Sequence, residues 1–215
     1  MTEQENDLLW DAYFYPGTEV LINHYDIRDP ERLKEVDASY SFEKLLELRE
    51  KPLDLGCGKE HLNAIHQFVF GEVYPFAGKY RKVNMRKARG TFFFIHDPDD
   101  MEKELDSLFA EIEERLNHCH SKIEFCELLS KLYSSLIYYH PYREGNGRVV
   151  REFLREFSIQ KSSELGLVKM EIDWSKINHQ ELNQYIEVSH LFPSSTAMLF
   201  MNALVDLDDS KKASL

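Results

Sequence analysis

Apolar side chains recur at helical spacing along most of the chain, which predicts a mainly α-helical protein. The first such stretch opens at Asp29-Pro30, and its apolar positions share roughly one helical face: Leu33, Val36, Tyr40, Leu45 and Leu48. The same spacing predicts further helices at residues 60–70, from Asp97-Pro98 to 116, at 122–139, at 146–160, and near 178–190 and 194–206. These stripes are typical of a packed helical core.

Residues 80–95 depart from the helical pattern. Apolar and aromatic positions lie on both sides of a turn at Ala88-Arg89-Gly90: Tyr80, Val83, Phe92, Phe93, Phe94 and Ile95. Two β-prone runs on either side of a glycine-containing turn predict a β-hairpin.

Composition favours one globular domain over residues 1–215. The chain of 215 residues contains no Pro/Gly/Ser-rich linker, no apolar run of membrane-spanning length and no signal-peptide pattern. Cys57, Cys119 and Cys126 have neither disulfide nor zinc spacing, which is typical of a reducing cytoplasm. We therefore expect a cytoplasmic protein that does not contact a membrane.

Residues 140–151 read H-P-Y-R-E-G-N-G-R-V-V-R and carry most of the recognisable chemistry. His140 titrates near neutral pH when unperturbed, so it is the natural general base. Glu144 offers the kind of oxygen ligand that Mg²⁺ shares with phosphates. Gly145 and Gly147 can adopt positive φ and allow backbone amides to approach an anion.

A helix that begins near Asn146 adds its positive N-terminal end to the same place. Arg148 and Arg151 are one helical turn apart and can grip phosphate oxygens. In isolation, a Gly-x-Gly turn with basic neighbours is an ordinary helix start, and a lone histidine is more often structural. Their joint occurrence at fixed offsets favours a nucleoside-triphosphate site.

The stretch resembles the signature of the Fic family, H-P-F-x-[D/E]-G-N-G-R-x-x-R, with Tyr142 in place of the usual Phe. Tyr15-Pro16-Gly17, the run from Phe70 to Lys79 and Ile172-Asp173-Trp174 also resemble segments of bacterial Fic toxins. The resemblance extends over residues 12–205, nearly the whole chain. It implies an all-α Fic (Fido) fold of about seven to eight helices, with an N-terminal extension at 1–28 and a hairpin flap at 80–96.

The resemblance also implies an activity, the transfer of AMP from ATP to a Ser, Thr or Tyr hydroxyl of a target protein. His140 would deprotonate that hydroxyl, and Glu144 would hold Mg²⁺. The phosphates would lie over Gly145, Asn146 and Gly147, with Asn146 and Arg148 neutralising the developing charge. Arg151 would bind the γ-phosphate.

In Fic enzymes the flap pairs its exposed edge with the backbone of the target, which is strand addition. The residues expected to do so here are Lys82, Val83, Asn84, Phe92, Phe93 and Phe94. Basic residues crowd this stretch of a chain with net charge −12: Lys79, Arg81, Lys82, Arg86, Lys87 and Arg89. They could blunt a strand edge or dock an acidic target surface, whereas the acidic chain disfavours direct nucleic-acid binding.

Partners follow only from the resemblance, which is to Fic toxins of the toxin–antitoxin (class I) type. Such toxins modify type II topoisomerase subunits. The family's inhibitory pattern [S/T]-x-x-x-E-[G/N] is not completed at Ser39–Glu43 or Ser107–Glu111, so a separate antitoxin protein is expected.

Two alternatives stay open from the sequence. One is transfer of another group, such as UMP, phosphocholine or phosphate, although Gly147 is intact whereas the phosphorylating branch has Lys there. The other is a nucleotide-gated binding module without turnover, against which the intact His140 argues.

Overall fold

The structure, a computed structural model, describes residues 2–86, 93–94, 98–178, 180–182 and 196–207. The chain divides into two compact units, which are described separately. The first comprises Met1–Glu102 and His140–Val149, and the second comprises Lys103–Tyr139 and Val150–Leu215. The prediction of a single domain over 1–215 stays a prediction.

Helices form most of the described chain. They are α1 (Glu3–Asp11), α2 (Pro30–Glu50), α3 (Lys59–Phe70), α4 (Met101–Leu116), α5 (Lys122–Tyr139), α6 (Asn146–Glu164) and α7 (Ala197–Ala203). The strands are β1 (Met85–Arg86), β2 (Phe93–Phe94), β3 (Met170–Ile172) and β4 (Leu204–Asp206). The prediction of a mainly helical fold with a short hairpin is confirmed.

Helix α2 begins where the sequence predicts. The Asp29 carboxylate caps it by accepting the Arg32 N–H at 2.7 Å, and Pro30 occupies the first turn, where its missing N–H costs nothing. The buried face differs from the predicted stripe, because Val36, Tyr40 and Leu45 are only half-buried. The buried positions of α2 are Leu33, Asp37, Ser41 and Leu48.

Most other predicted helices are confirmed within a few residues. Helix α4 begins at Met101 because a 3₁₀ turn, Pro98–Asp100, precedes it. The predicted helix at 194–206 is wrong at its end, since α7 stops at Ala203 and the chain continues as β4, which pairs antiparallel with β3. Most of the predicted helix at 178–190 lies outside the described residues. Helix α1 was not predicted.

The hairpin is present but short. Strands β1 and β2 pair antiparallel, with Met85 opposite Phe94 and Arg86 opposite Phe93. The predicted turn at 88–90 lies outside the described residues.

The core of the second unit is mainly apolar. Helices α5 and α7 pack together, and the rings of Tyr133, Trp174 and Phe200 contact one another in this region. Among the described residues, no helix has the length and apolar character needed to cross a membrane.

Candidate functional site

The motif residues 140–149 form a loop in the first unit that ends in the first turn of α6. Gly145 is the point at which this motif loop needs glycine. Its φ is +80°, and a Cβ there would lie 2.3 Å from Cε2 of Phe70. The aromatic ring of α3 therefore takes up the space that any side chain would require. Gly147 lies inside α6, so the positive φ predicted for both glycines applies to Gly145 alone.

The Asn146 side chain closes the loop on itself. Its Oδ1 accepts the Tyr142 N–H at 2.9 Å, and its Nδ2 donates to the Tyr142 carbonyl at 2.8 Å. The Asn146 side chain is buried and satisfies both the N–H and the C=O of Tyr142. The phosphate contact predicted for the Asn146 side chain stays a prediction.

His66 supports the loop from α3. Its ring stacks on Tyr142 with 3.8 Å between centroids, and its Nε2 donates to the Glu144 carbonyl at 3.0 Å. The Gly78 N–H donates to Nδ1 at 2.8 Å, which fixes the proton on Nε2. Burial lowers the pKa of His66 from 6.5 to about 4, so the ring that supports the loop is neutral at physiological pH.

His140 stands at the start of the loop in an unusual backbone conformation, with φ +48°. Arg81 holds it there: the Arg81 Nε donates to the His140 carbonyl at 2.9 Å, and the Arg81 N–H donates to the Pro141 carbonyl at 2.8 Å. Arg81 is only 1% exposed. Its inclusion in the basic surface stretch was therefore wrong, because its guanidinium is committed to buried carbonyl groups.

The start of α6 offers backbone donors. The Gly145 N–H already donates to Glu144 Oε1 at 2.9 Å. The next two amides, of Asn146 and Gly147, have no hydrogen-bond partner within the part of the chain that the structure describes. Since α6 is 19 residues long, its partial positive charge adds to these donors at an anion-binding point.

Arg148 lies in the first turn of α6 and is firmly held. Its Nη1 and Nη2 donate to the two oxygens of Asp37 at 2.5 and 3.1 Å, and Nη1 also donates to Ser41 Oγ at 2.8 Å. The guanidinium lies 4.6 Å from the Phe70 ring centroid. Its Nη2 is 3.6 Å from Glu144 Oε1.

Glu144 combines the features expected of a magnesium ligand. Its side chain is 43% exposed, and only one of its oxygens is engaged by the Gly145 N–H. The described residues contain no group of three or more metal-binding side chains. One open carboxylate suits Mg²⁺, which prefers few protein ligands beside phosphates and water.

Arg143 is enclosed by aromatic rings near the chain's N-terminus. Its guanidinium lies 4.3, 5.5 and 5.1 Å from the ring centroids of Trp10, Tyr13 and Phe14. Burial lowers the pKa of this guanidinium, so the rings replace part of its lost hydration. Helix α1 and the turn after it thereby pack against Arg143 of the motif loop.

Arg151 belongs to the second unit, where its carbonyl accepts the Trp174 indole N–H at 3.1 Å. Its predicted contact with the γ-phosphate stays a prediction.

The flap residues have mixed placements. Val83 is fully buried, and its predicted part in strand addition, which uses the backbone, stays a prediction. The Lys82 N–H donates to the Tyr13 hydroxyl at 3.2 Å, and the Asn84 N–H donates to Asn6 Oδ1 at 2.6 Å. Side chains of the N-terminal segment thus already occupy these two backbone N–H groups, which lie just before β1. Phe92 lies outside the described residues, and Phe93 and Phe94 form β2.

Known proteins resemble this chain in sequence and fold. The model of the Fic/DOC family matches residues 53–158. The probable protein adenylyltransferase y4lH of Sinorhizobium fredii is 34% identical over 166 residues, which cover 75% of this chain and 82% of y4lH. The chain belongs to the Fic/DOC family.

Other Fic proteins extend the comparison. The protein adenylyltransferase VbhT of Bartonella schoenbuchensis is 30% identical over 81% of this chain. The match spans about a third (34%) of the length of VbhT. The BepC protein of Bartonella tribocorum, solved with bound AMPPNP, superposes with a TM-score of 0.75 at 24% identity, covering 91% of this chain and 97% of BepC. This last likeness shows the fold.

Proposed function

We propose that the chain transfers AMP from ATP to a hydroxyl group of a target protein. The observation that carries the proposal is the pair of open amides at the start of α6, in the same motif loop as His140, Glu144 and Arg148. Backbone donors at a helix N-terminus, an arginine and a carboxylate form an arrangement suited to a metal-bound polyphosphate. The names of y4lH and VbhT, both protein adenylyltransferases, support the same activity.

ATP is the proposed donor. Its phosphate oxygens would accept hydrogen bonds from the Asn146 and Gly147 backbone N–H groups. Arg148 would neutralise the negative charge that builds up on the phosphates during transfer. BepC supports a triphosphate because it was solved with AMPPNP, an ATP analogue. Arg151 is proposed for the γ-phosphate.

The chemistry is one substitution at the α-phosphorus. His140 accepts the proton of the target hydroxyl, the hydroxyl oxygen forms a bond to the α-phosphorus, and the bond to the bridging oxygen breaks to release pyrophosphate. The buried hydrogen bonds from Arg81 to the His140 and Pro141 carbonyls fix the backbone from which the imidazole acts. Glu144 is the residue that would hold Mg²⁺, and the bound ion would supply positive charge to the phosphate oxygens.

The target is proposed to pair with the hairpin by strand addition. Since Tyr13 and Asn6 occupy the amides of Lys82 and Asn84, we place the pairing farther along the hairpin, at β1 and β2. A type II topoisomerase subunit as target, a separate antitoxin as inhibitor and a cytoplasmic site of action complete the proposal.

The position of an isotopic label tests the reaction. The purified chain is incubated with cell extract, Mg²⁺ and ATP labelled on either the α- or the γ-phosphate. We expect the α label to enter protein and the γ label to leave as pyrophosphate. Incorporation of the γ label beyond that of extract incubated without the chain would indicate phosphorylation instead. No incorporation of either label, with nucleotide still bound, would indicate a binding module.

A further inference from the structure

We infer that Asp37, on helix α2, is a positioning residue that turns the open edge of Arg148 towards the nucleotide phosphates. This inference rests on the proposed function, because it explains how the Arg148 side chain of the proposed phosphate site is oriented. Asp37 lies outside the motif, 111 residues from Arg148 in sequence.

The hydrogen bonds of Arg148 leave one edge available. A guanidinium carries five N–H donors. Asp37 takes one donor from each Nη, and Ser41 takes the second donor of Nη1. The donors that remain are the Nε–H and one Nη2–H, which point the same way and form a fork suited to two phosphate oxygens.

The carboxylate that holds Arg148 is itself fixed. The Tyr74 hydroxyl donates to Asp37 Oδ2 at 3.0 Å, and the Asp37 side chain is only 11% exposed. The Phe70 ring lies under the guanidinium, so rotation about the last side-chain bonds would break contacts on several sides. Arg148 is therefore set before a ligand arrives, and less conformational freedom is lost when phosphate binds.

A purely structural ion pair is the competing explanation. A buried pair can be almost neutral for stability, because the cost of removing both charges from water offsets their attraction. The Arg148 side chain is 26% exposed, which leaves it accessible to a ligand. The pair lies beside Glu144, whose Oε1 is 3.6 Å from Nη2. Both facts favour a role in binding.

The first test is Asp37→Asn, which keeps the shape of the side chain and removes its charge. The matched control is Glu31→Gln on the exposed side of the same helix, whose carboxylate is 81% exposed. ATP affinity is measured by calorimetry and AMP transfer by the α-label assay. We expect Asp37→Asn to raise the Kd and KM for ATP about tenfold and to lower kcat as well, because Arg148 also neutralises charge during transfer, and Glu31→Gln to change none of these.

The second test is a double-mutant cycle with Arg148→Met. If Asp37 acts through Arg148, Asp37→Asn has no further effect on ATP affinity once Arg148→Met is present. Independent, additive losses would overturn the inference, as would unchanged affinity in Asp37→Asn. Should Asp37→Asn fail to fold, Ser41→Ala removes one contact to Nη1 and is expected to give the same result at about threefold.

The two proposals fail in different ways. An unmodified chain that takes up no nucleotide would overturn both of them. An unmodified chain that binds ATP and transfers AMP, with Asp37→Asn equal to it in every measurement, would overturn only the positioning role of Asp37.

Discussion

Helices α2 and α5 present buried faces of opposite character. In α5 the buried face is mostly apolar, with Phe125, Leu128, Leu129, Leu132 and Leu136 at its centre. In α2, Asp37 and Ser41 stand between Leu33 and Leu48, in the middle of the buried positions. Both buried polar residues of α2, Asp37 and Ser41, accept hydrogen bonds from the guanidinium of Arg148. A helix of this fold thus buries polar groups where they hold the motif loop.

Helix α3 also differs from α5, because its buried face includes residues that contact the motif loop. Helix α3 contributes His66 to the Glu144 carbonyl and the Phe70 ring to the space beside Gly145. Substitutions that displace the motif loop or its supports in α2 and α3 should therefore lower activity, whereas truncation of the buried apolar side chains of α5 should lower stability alone.

The largest effect is expected from Gly145→Ala. A Cβ at this position combines strain at φ +80° with a 2.3 Å approach to Phe70, so the loop must move. Displacement of the loop should lower kcat/KM at least about 100-fold. The matched control is Gly166→Ala, at φ +71° with nothing within 4 Å of its Cβ, which should cost about 1 kcal/mol of stability and leave activity intact. Equal activities of the two variants would contradict the role of the Phe70 contact.

Leu132→Ala should act on stability. Leu132 is fully buried in α5, and its truncation leaves a cavity, so the free energy of unfolding should fall by about 2–5 kcal/mol. Denaturant unfolding measures this loss. The kcat/KM of the folded fraction should stay within about twofold of the unmodified value. A large fall in kcat/KM at temperatures where the variant is folded would break the proposed division between α5 and α2.

The pH dependence of the free energy of unfolding should reveal the lowered pKa of His66. Its pKa is lowered from 6.5 to about 4 by burial, so between these pH values the unfolded chain binds a proton that the folded chain excludes. The stability that comes from neutral His66 is complete above pH 6.5 and is lost as the pH falls, by about 3 kcal/mol in total.

Unfolding curves at several pH values should show this extra loss in the unmodified chain and not in His66→Gln. The exposed His24 supplies the control, since His24→Gln should follow the unmodified chain. Parallel curves for the unmodified chain and His66→Gln would contradict the buried neutral state of His66.

The smallest effect is expected from Tyr142→Phe. Burial raises the pKa of the Tyr142 hydroxyl, which remains protonated and donates to Asn63 Oδ1 at 2.6 Å. Removal of the hydroxyl should cost about 1 kcal/mol of unfolding free energy, while the ring keeps its stack on His66 and AMP transfer persists. Loss of transfer in Tyr142→Phe would show that the hydroxyl does more than secure the ring.

Local signals were sufficient for most of the helices and for the motif. The start of α2 follows from Asp29-Pro30, and the motif loop follows from residues whose roles depend on near neighbours, such as Gly145 before the first turn of α6. Helix α1 was missed because none of its residues is buried, so it has no apolar stripe to detect.

The supports of the loop depend on contacts between distant parts of the chain. Arg81 looks like one more basic residue of the hairpin until its guanidinium meets the His140 and Val83 carbonyls. Asp37 and Ser41 left a detectable signal, since both are polar and stand four and eight residues after Leu33, on the face of α2 that should be apolar. Their partner, however, could be found only from the fold.

The most direct test of the central claim separates nucleotide binding from transfer in one variant, His140→Ala. Calorimetry gives its ATP affinity, and intact-mass spectrometry of an acceptor protein gives the mass added after incubation with ATP and Mg²⁺. The account predicts an ATP affinity within about twofold of the unmodified chain and no added AMP. The groups that donate hydrogen bonds to the phosphates remain in this variant, whereas the general base is gone. An acceptor that still gains AMP from the His140→Ala chain at the unmodified rate would contradict it.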